Sequence, residues 1–207
     1  MKKLLKTLSL AMSAAMLAAC LSACAKTPTP EEIYKKVEDA DNAKIVIAME
    51  YDDLGSVKAT MKMAGDTAQI VTKTEMMGMS SEEETYQHKS GDELWIYSQD
   101  ENGKWSMEKS ENEEDEEGLD EFKDLFNMEN YKEFDKESRR YQMKDDVELE
   151  MSEMTCSDGY IEVGEDGTYT VFVKMEQDAG QLGTLKGTLK ITISDIGEVS
   201  VTLPEID

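Results

Sequence analysis

The chain has 207 residues and carries 22 Lys+Arg against 46 Asp+Glu, a net charge of −24. That length holds one domain or at most two. The acidic excess excludes a nucleic-acid binder, which needs clustered cations. One His and three Cys leave too few ligands and partners for a zinc or disulfide scaffold.

Lys2, Lys3 and Lys6 precede an uncharged, apolar or small-residue stretch over residues 7–23. This pattern predicts a secretory signal over residues 1–23, too short and too rich in Ala and Ser for a spanning helix. It ends in Leu21-Ser22-Ala23-Cys24, which resembles the bacterial lipobox, where small residues flank the scissile bond and the Cys thiol takes a diacylglycerol. Cys24 is the preferred anchor because the small Ala25 follows it; Cys20, after Leu17-Ala18-Ala19, is the alternative. Removing the signal takes away three Lys and no acid. A strongly acidic domain is then expected on the extracytoplasmic face of the cell membrane, kept from lying flat on anionic headgroups by like charge. Two acyl chains anchor stably where one does not. Residues 24–28 read as a tether.

The folded domain is expected over residues 29–207. Thr29, Pro30 and Glu32 spell a helix start with a capping box, and Ile33, Tyr34 and Val37 share one face; the helix is predicted to end near Asp41-Asn42. The period then switches from 3.6 to 2. Ile45, Ile47, Met49 and Tyr51 alternate with polar neighbours, and after a turn at 52–55 so do Val57, Ala59, Met61 and Met63. A third strand is predicted over residues 67–76, with Ile70 in register with Ala68 and Thr72. Strands follow over residues 85–89 and 93–99. Asn102-Gly103 predicts a tight hairpin into Trp105. Residues 111–117 form an acidic linker. Leu119, Phe122, Leu125 and Phe126 predict a short helix. Strands resume at 139–144 and 148–154, a second hairpin forms at Asp166-Gly167, and Leu185, Leu189, Ile191 and Ile193 alternate with Lys and Thr. A turn at 194–197 leads to a last strand through Val199, Val201 and Leu203. The tally is eleven or twelve strands and two or three helices. This predicts one α+β domain on a large antiparallel sheet.

Catalytic constellations find no support. Gly-x-Ser-x-Gly is absent, and the single imidazole, His88, sits on the polar alternation of a strand. Acids are so many that paired carboxylates carry no information. The run 113–117 lacks the residue order of a calcium loop and reads as a solvated, self-repelling loop, or as a weak, unselective cation site. Cys156 reads either as a small buried residue or as a partner for a tail cysteine. No cofactor is implied. Fifteen Met is the unusual count. Several lie on apolar strand faces, and Met76-Met77-Gly78-Met79 forms a cluster. Thioethers suit a core or a surface that accepts variable apolar partners; they are also soft ligands for Cu(I), with His88 as a further donor.

Taken together these pieces resemble small lipoproteins of Gram-positive bacteria in the LolA/LppX-like superfamily. The resemblance rests on the lipobox, Thr29-Pro30-Glu31-Glu32, and the Met- and Lys-alternating meander. It also rests on Leu94-Trp95-Ile96-Tyr97 with Gly103-Lys104-Trp105, and on the ending from Ile193-Ser194-Asp195-Ile196-Gly197 to Val201-Thr202-Leu203-Pro204-Glu205. It implies an antiparallel half-barrel whose concave, apolar side is covered by helices, and a role in carrying lipids or sensing lipoproteins. The expected cavity lining is Ile45, Ile47, Met49, Val57, Met61, Met63, Ile70, Leu189 and Ile191, with Phe122 and Phe126 as a lid. The expected partners are the membrane, through the anchor, and a lipid or other apolar ligand. The alternatives are a module that binds another envelope protein through its acidic face, and a Met-rich copper binder.

Overall fold

The computed structural model describes residues 27–110, 119–151, 154–178, 180 and 183–206. The signal, Cys20, Cys24 and the acidic run 111–117 lie outside the described residues. Helix α1 (Pro30–Glu38) starts as its sequence dictates. Thr29 Oγ1 accepts from the Glu32 N–H at 3.3 Å, and Glu32 Oε2 accepts from the Thr29 N–H at 2.8 Å. These bonds satisfy two amides that the first turn leaves open. The helix ends at Glu38, earlier than predicted. The Asp41 carbonyl already accepts from the Gly65 N–H, and Asn42 is paired with Ala64, so the sheet has claimed these residues.

Eleven strands form one antiparallel sheet. They are β1 (Asn42–Tyr51), β2 (Gly55–Ala64), β3 (Thr67–Met76), β4 (Met79–Ser90), β5 (Glu93–Gln99), β6 (Trp105–Lys109), β7 (Arg140–Gln142), β8 (Leu149–Met151), β9 (Met154–Val163), β10 (Tyr169–Asp178) and β11 (Thr184–Ser194). Their order is β6-β5-β4-β3-β2-β1-β11-β10-β9-β7, with β8 also on β9. The sheet does not close into a barrel. Five strands, β2 to β6, continue from β1 as a meander on one side of it, and β11 pairs on its other side. Among the described residues, helices are few: α1 and two 3-10 helices, Leu119–Phe126 and Met128–Asn130.

Several expectations are corrected. Strand β4 starts at Met79, six residues before the predicted strand, because residues 80–84 pair across β3 by charge and hydroxyl groups; Lys73 meets Glu82 at 2.8 Å. The Asn102-Gly103 turn is a longer loop. Asp100 Oδ1 accepts from the Asn102 and Lys104 N–H groups at 2.8 and 2.9 Å, and these bonds hold its carboxyl below the usual range. Only Gly103 of the pair then needs positive φ, at 77°. Residues 148–154 divide between β8 and β9. In β9 the register slips by one near Asp158, whose φ is 50°, so the buried set passes from Met154 and Cys156 to Ile161 and Val163. Residues 199–203 form no strand. Strand β11 already has β1 and β10 on its edges, so a strand turning back from it has no edge to join.

The core lies on one face of β1 and β7 to β11. Ile33 and Val37 of α1 and Phe122, Leu125 and Phe126 of the 3-10 helix press onto Ile161, Val171, Leu189, Ile191 and Ile193, all buried. The two covering elements are joined: Tyr34 and Phe126 rings lie 5.6 Å apart, and a Glu31 carboxylate oxygen accepts from the Met128 N–H. Gly187 is required by close approach, since a Cβ there would lie 2.1 Å from the Glu50 carbonyl oxygen. Cys156 is free and fully buried in this core, and burial pushes its thiol from 9.0 up to about 11.

Two outcomes are expected. Ile191→Ala should cost about 2–5 kcal/mol of unfolding free energy, whereas Val57→Ala, on the half-covered part of the same face, should cost about 1 kcal/mol or less; urea denaturation compares them. The unfolded Cys156 thiol ionises before the folded one, so stability should fall as pH rises from about 9 to about 11. Cys156→Ala should make that part of the pH profile shallower.

Candidate functional site

Period-2 alternation puts the expected lining residues on one face, and the register fixes their neighbours. Ile45 stands between Met61 and Ile193, Ile47 between Ala59 and Ile191, and Met49 between Val57 and Leu189. Ile70 of β3 stands opposite Met61. On the far side Val171 and Val173 of β10 stand opposite Ile191 and Leu189. No β10 residue is among the lining expected from the sequence. The alternation of Tyr169, Val171, Val173 and Met175 was visible, but only the ladder says which neighbours it meets.

The face is not uniform. Ile45, Leu189, Ile191, Phe122 and Phe126 are buried within the core. Ile47, Met49, Met61 and Met63 are half-buried and packed against its edge. Val57 and Ile70 are half-buried further out. Across β4 the same face turns polar: Thr85 opposes Ile70, Gln87 opposes Ala68 and Glu83 opposes Thr72. The structure thus brings the lining residues together as one continuous surface, closed by helices at the β9–β11 side and open toward β3.

Grooves also lie away from this face. An open groove of about 710 Å³ runs along α1 to the start of β1, lined by Glu32, Lys35, Lys36, Asp39, Asn42 and Ile196 among others. A groove of about 290 Å³ separates α1 from the 3-10 helix, between Glu31, Tyr34, Lys123, Asp124, Phe126 and Asn127. Phe126 is the one lining residue expected from sequence that borders either groove. Its groove mixes apolar and cationic groups, with Lys123 Nζ 5.8 Å from the Tyr34 ring centre. Lys36, on the larger groove, donates through Nζ to Tyr169 Oη at 3.3 Å.

The remaining candidates separate. His88 is half-buried, with Nδ1 3.1 Å from Thr67 Oγ1. Met77 and Met79 are strongly exposed at the opposite end of β4, so the imidazole and the methionine cluster do not meet. Beside His88 on the outer face, the Tyr86 hydroxyl donates to Glu84 Oε1 at 2.9 Å. Burial, with Glu84 beside it, raises the Tyr86 pKa above the ordinary phenol value. Among the described residues no three His, Cys, Asp or Glu side chains group as a metal site. No helix among them is long and apolar enough to cross a membrane.

A scan of protein-family models finds none that matches this chain, and a search of curated proteins finds no match either.

Proposed function

We propose that the chain is a membrane-anchored extracytoplasmic lipoprotein whose sheet curves as a half-barrel around an apolar ligand, a lipid or acyl chain, in a carrier or sensor role. The observation that carries this reading is the apolar face that runs out from under its cover. Ile47, Met49, Val57, Met61, Met63 and Ile70 continue the core face of β1 into β2 and β3 while remaining half-exposed. An acyl chain laid along them would gain about 25 cal/mol per Å² of apolar area removed from water, before the costs of association. The unbranched thioethers of Met49, Met61 and Met63 adapt to ligands of varied shape. The lipobox residues supply the anchor, through Cys24 or, as the alternative, Cys20. The reading needs no catalytic group and no cofactor.

A second reading has its own support. Ile45, Leu189, Ile191, Phe122 and Phe126 are packed by the protein's own side chains, as expected of a module that binds another envelope protein. The outer edge of β6, a short strand at the end of the sheet order, would offer a site for strand addition.

Native mass spectrometry of the full chain, purified in detergent from a bacterial host, separates the two readings. A co-purifying lipid, displaced by an apolar fluorescent probe, is expected. Met61→Glu should weaken probe binding by about tenfold or more, because a buried charge is costly, with little change in unfolding. If no lipid and no probe binds, the carrier reading fails and a salt-sensitive protein partner is expected instead. The intact mass should show a diacylglyceryl group that Cys24→Ser removes; its persistence in that variant would move the anchor to Cys20.

A further inference from the structure

Met76 and Met79 lie on the same side of the sheet as Val57 and Ile70 but at its far end, set apart from the expected lining by the Thr74–Ser81 pair. Met77 sits in the turn beyond them. Strands β3 and β4 close through a two-residue turn, Met77-Gly78, and Met76 stands directly opposite Met79. Met77 is 78% exposed and Met79 71%. Met77 holds φ at 52° and Gly78 at 81°. A turn with both central residues left-handed favours Asn, Asp or Gly, and a Met there costs about 1–2 kcal/mol of backbone strain. Neither that strain nor the exposure of two thioethers is repaid by packing. Such a double cost points from geometry to a role.

The surroundings say which role. The Met77 N–H donates to the Leu54 carbonyl at 2.8 Å, which ties this turn to the β1–β2 turn carrying the exposed Asp52 and Asp53. Lys186, whose ammonium also feels Asp52, is held by Glu176 at 2.5 Å. The tip therefore joins soft sulfur donors to a negative local potential. An anionic membrane surface would be repelled there, whereas a cation is attracted. Thioethers select soft monovalent copper over hard divalent ions.

We propose that the β3–β4 tip binds Cu(I) through the thioethers of Met76, Met77 and Met79. Opposed residues in a ladder have Cβ atoms about 5 Å apart. Two unbranched Met chains at that spacing can close on one ion without moving the backbone, and Met77 supplies a third sulfur from the turn. His88 takes no part, because the length of β4 places it roughly 30 Å away. The site is independent of the lipid-carrier reading.

The test uses the full chain in detergent with ¹³C-labelled methionine methyl groups, titrated with Ag(I) as a redox-silent stand-in for Cu(I). The methyl signals of Met76, Met77 and Met79 should shift together and saturate near one equivalent, while those of the buried Met143 and Met175 stay still. Reading methyl groups separates this site from the thiols of Cys20, Cys24 and Cys156. The double variant M77L/M79L keeps the apolar bulk and removes two sulfurs. In it the Met76 signal should stop responding, and Cu(I) affinity, measured anaerobically against a chromogenic chelator, should drop by roughly tenfold or more. Unmoved methyl signals, or a double variant that binds Cu(I) as tightly as the parent, would overturn the proposal. Vesicle binding that survives M77L/M79L while Ag(I) leaves the methyl signals unmoved would assign the tip to apolar insertion instead.

Discussion

The ladder between β1 and β11 is the constraint on which the architecture rests. It pairs Lys44 with Ser194 and Tyr51 with Gly187, so the first strand and the last strand lie side by side. Everything between them must leave β1 on one side and return on the other. The local part is simple, because β1 to β6 are joined by short turns and each strand pairs with its sequence neighbour. The return is not local, and its closure entropy must be met before β9, β10 and β11 can bury Ile161, Val171 and Leu189. The same ladder sets where the core forms. α1 precedes β1 directly, so it reaches the face that β1 shares with β11.

Charge plays little part in holding this fold. Among the described residues no polar or charged residue is buried. The ion pairs are surface pairs, such as Lys174 with Asp158 at 2.9 Å and Arg140 with Glu162 at 2.6 Å. Exposed pairs of this kind contribute about 0–1 kcal/mol each. The acidic excess thus describes the solvated exterior, and apolar burial with backbone pairing holds the chain. Arg140 shows how a cation serves both: its guanidinium meets Glu162 and also lies 4.0 Å from the centre of the Tyr160 ring, which stacks on Phe172.

What the sequence made legible was local. Thr29, Pro30 and Glu32 announced the helix start because a capping box is a contact between near neighbours. The alternation of β1, β2 and β11 announced their faces because side-chain period is a property of one strand. The first half of β4 was hidden because Ser80 to Glu84 carry no apolar alternation; they are strand only because β3 lies beside them. The slip near Asp158 hid β9, since one extra residue reverses which parity faces inward. Val199 to Leu203 alternate like a strand and are none, because pairing needs a free edge. At the candidate site, membership of the face was readable for Ile45 through Ile70. Coverage was not: whether Met61 is half-open and Leu189 sealed depends on where α1 and the 3-10 helix dock.

That uneven coverage divides one continuous ladder into two zones of resistance to opening. The amides of β10 and β11 lie behind Val173, Leu189 and Ile191, all fully buried, so their release requires the core itself to come apart. The amides of β4 to β6 lie behind side chains that are mostly half-exposed or exposed, and a local fluctuation can release them while the rest stays folded. A sheet that is uniform in its hydrogen bonding is therefore not uniform in its permanence. Its meander end can breathe on a pivot at β1, so the apolar face of β2 and β3 can change its exposure without loss of the fold.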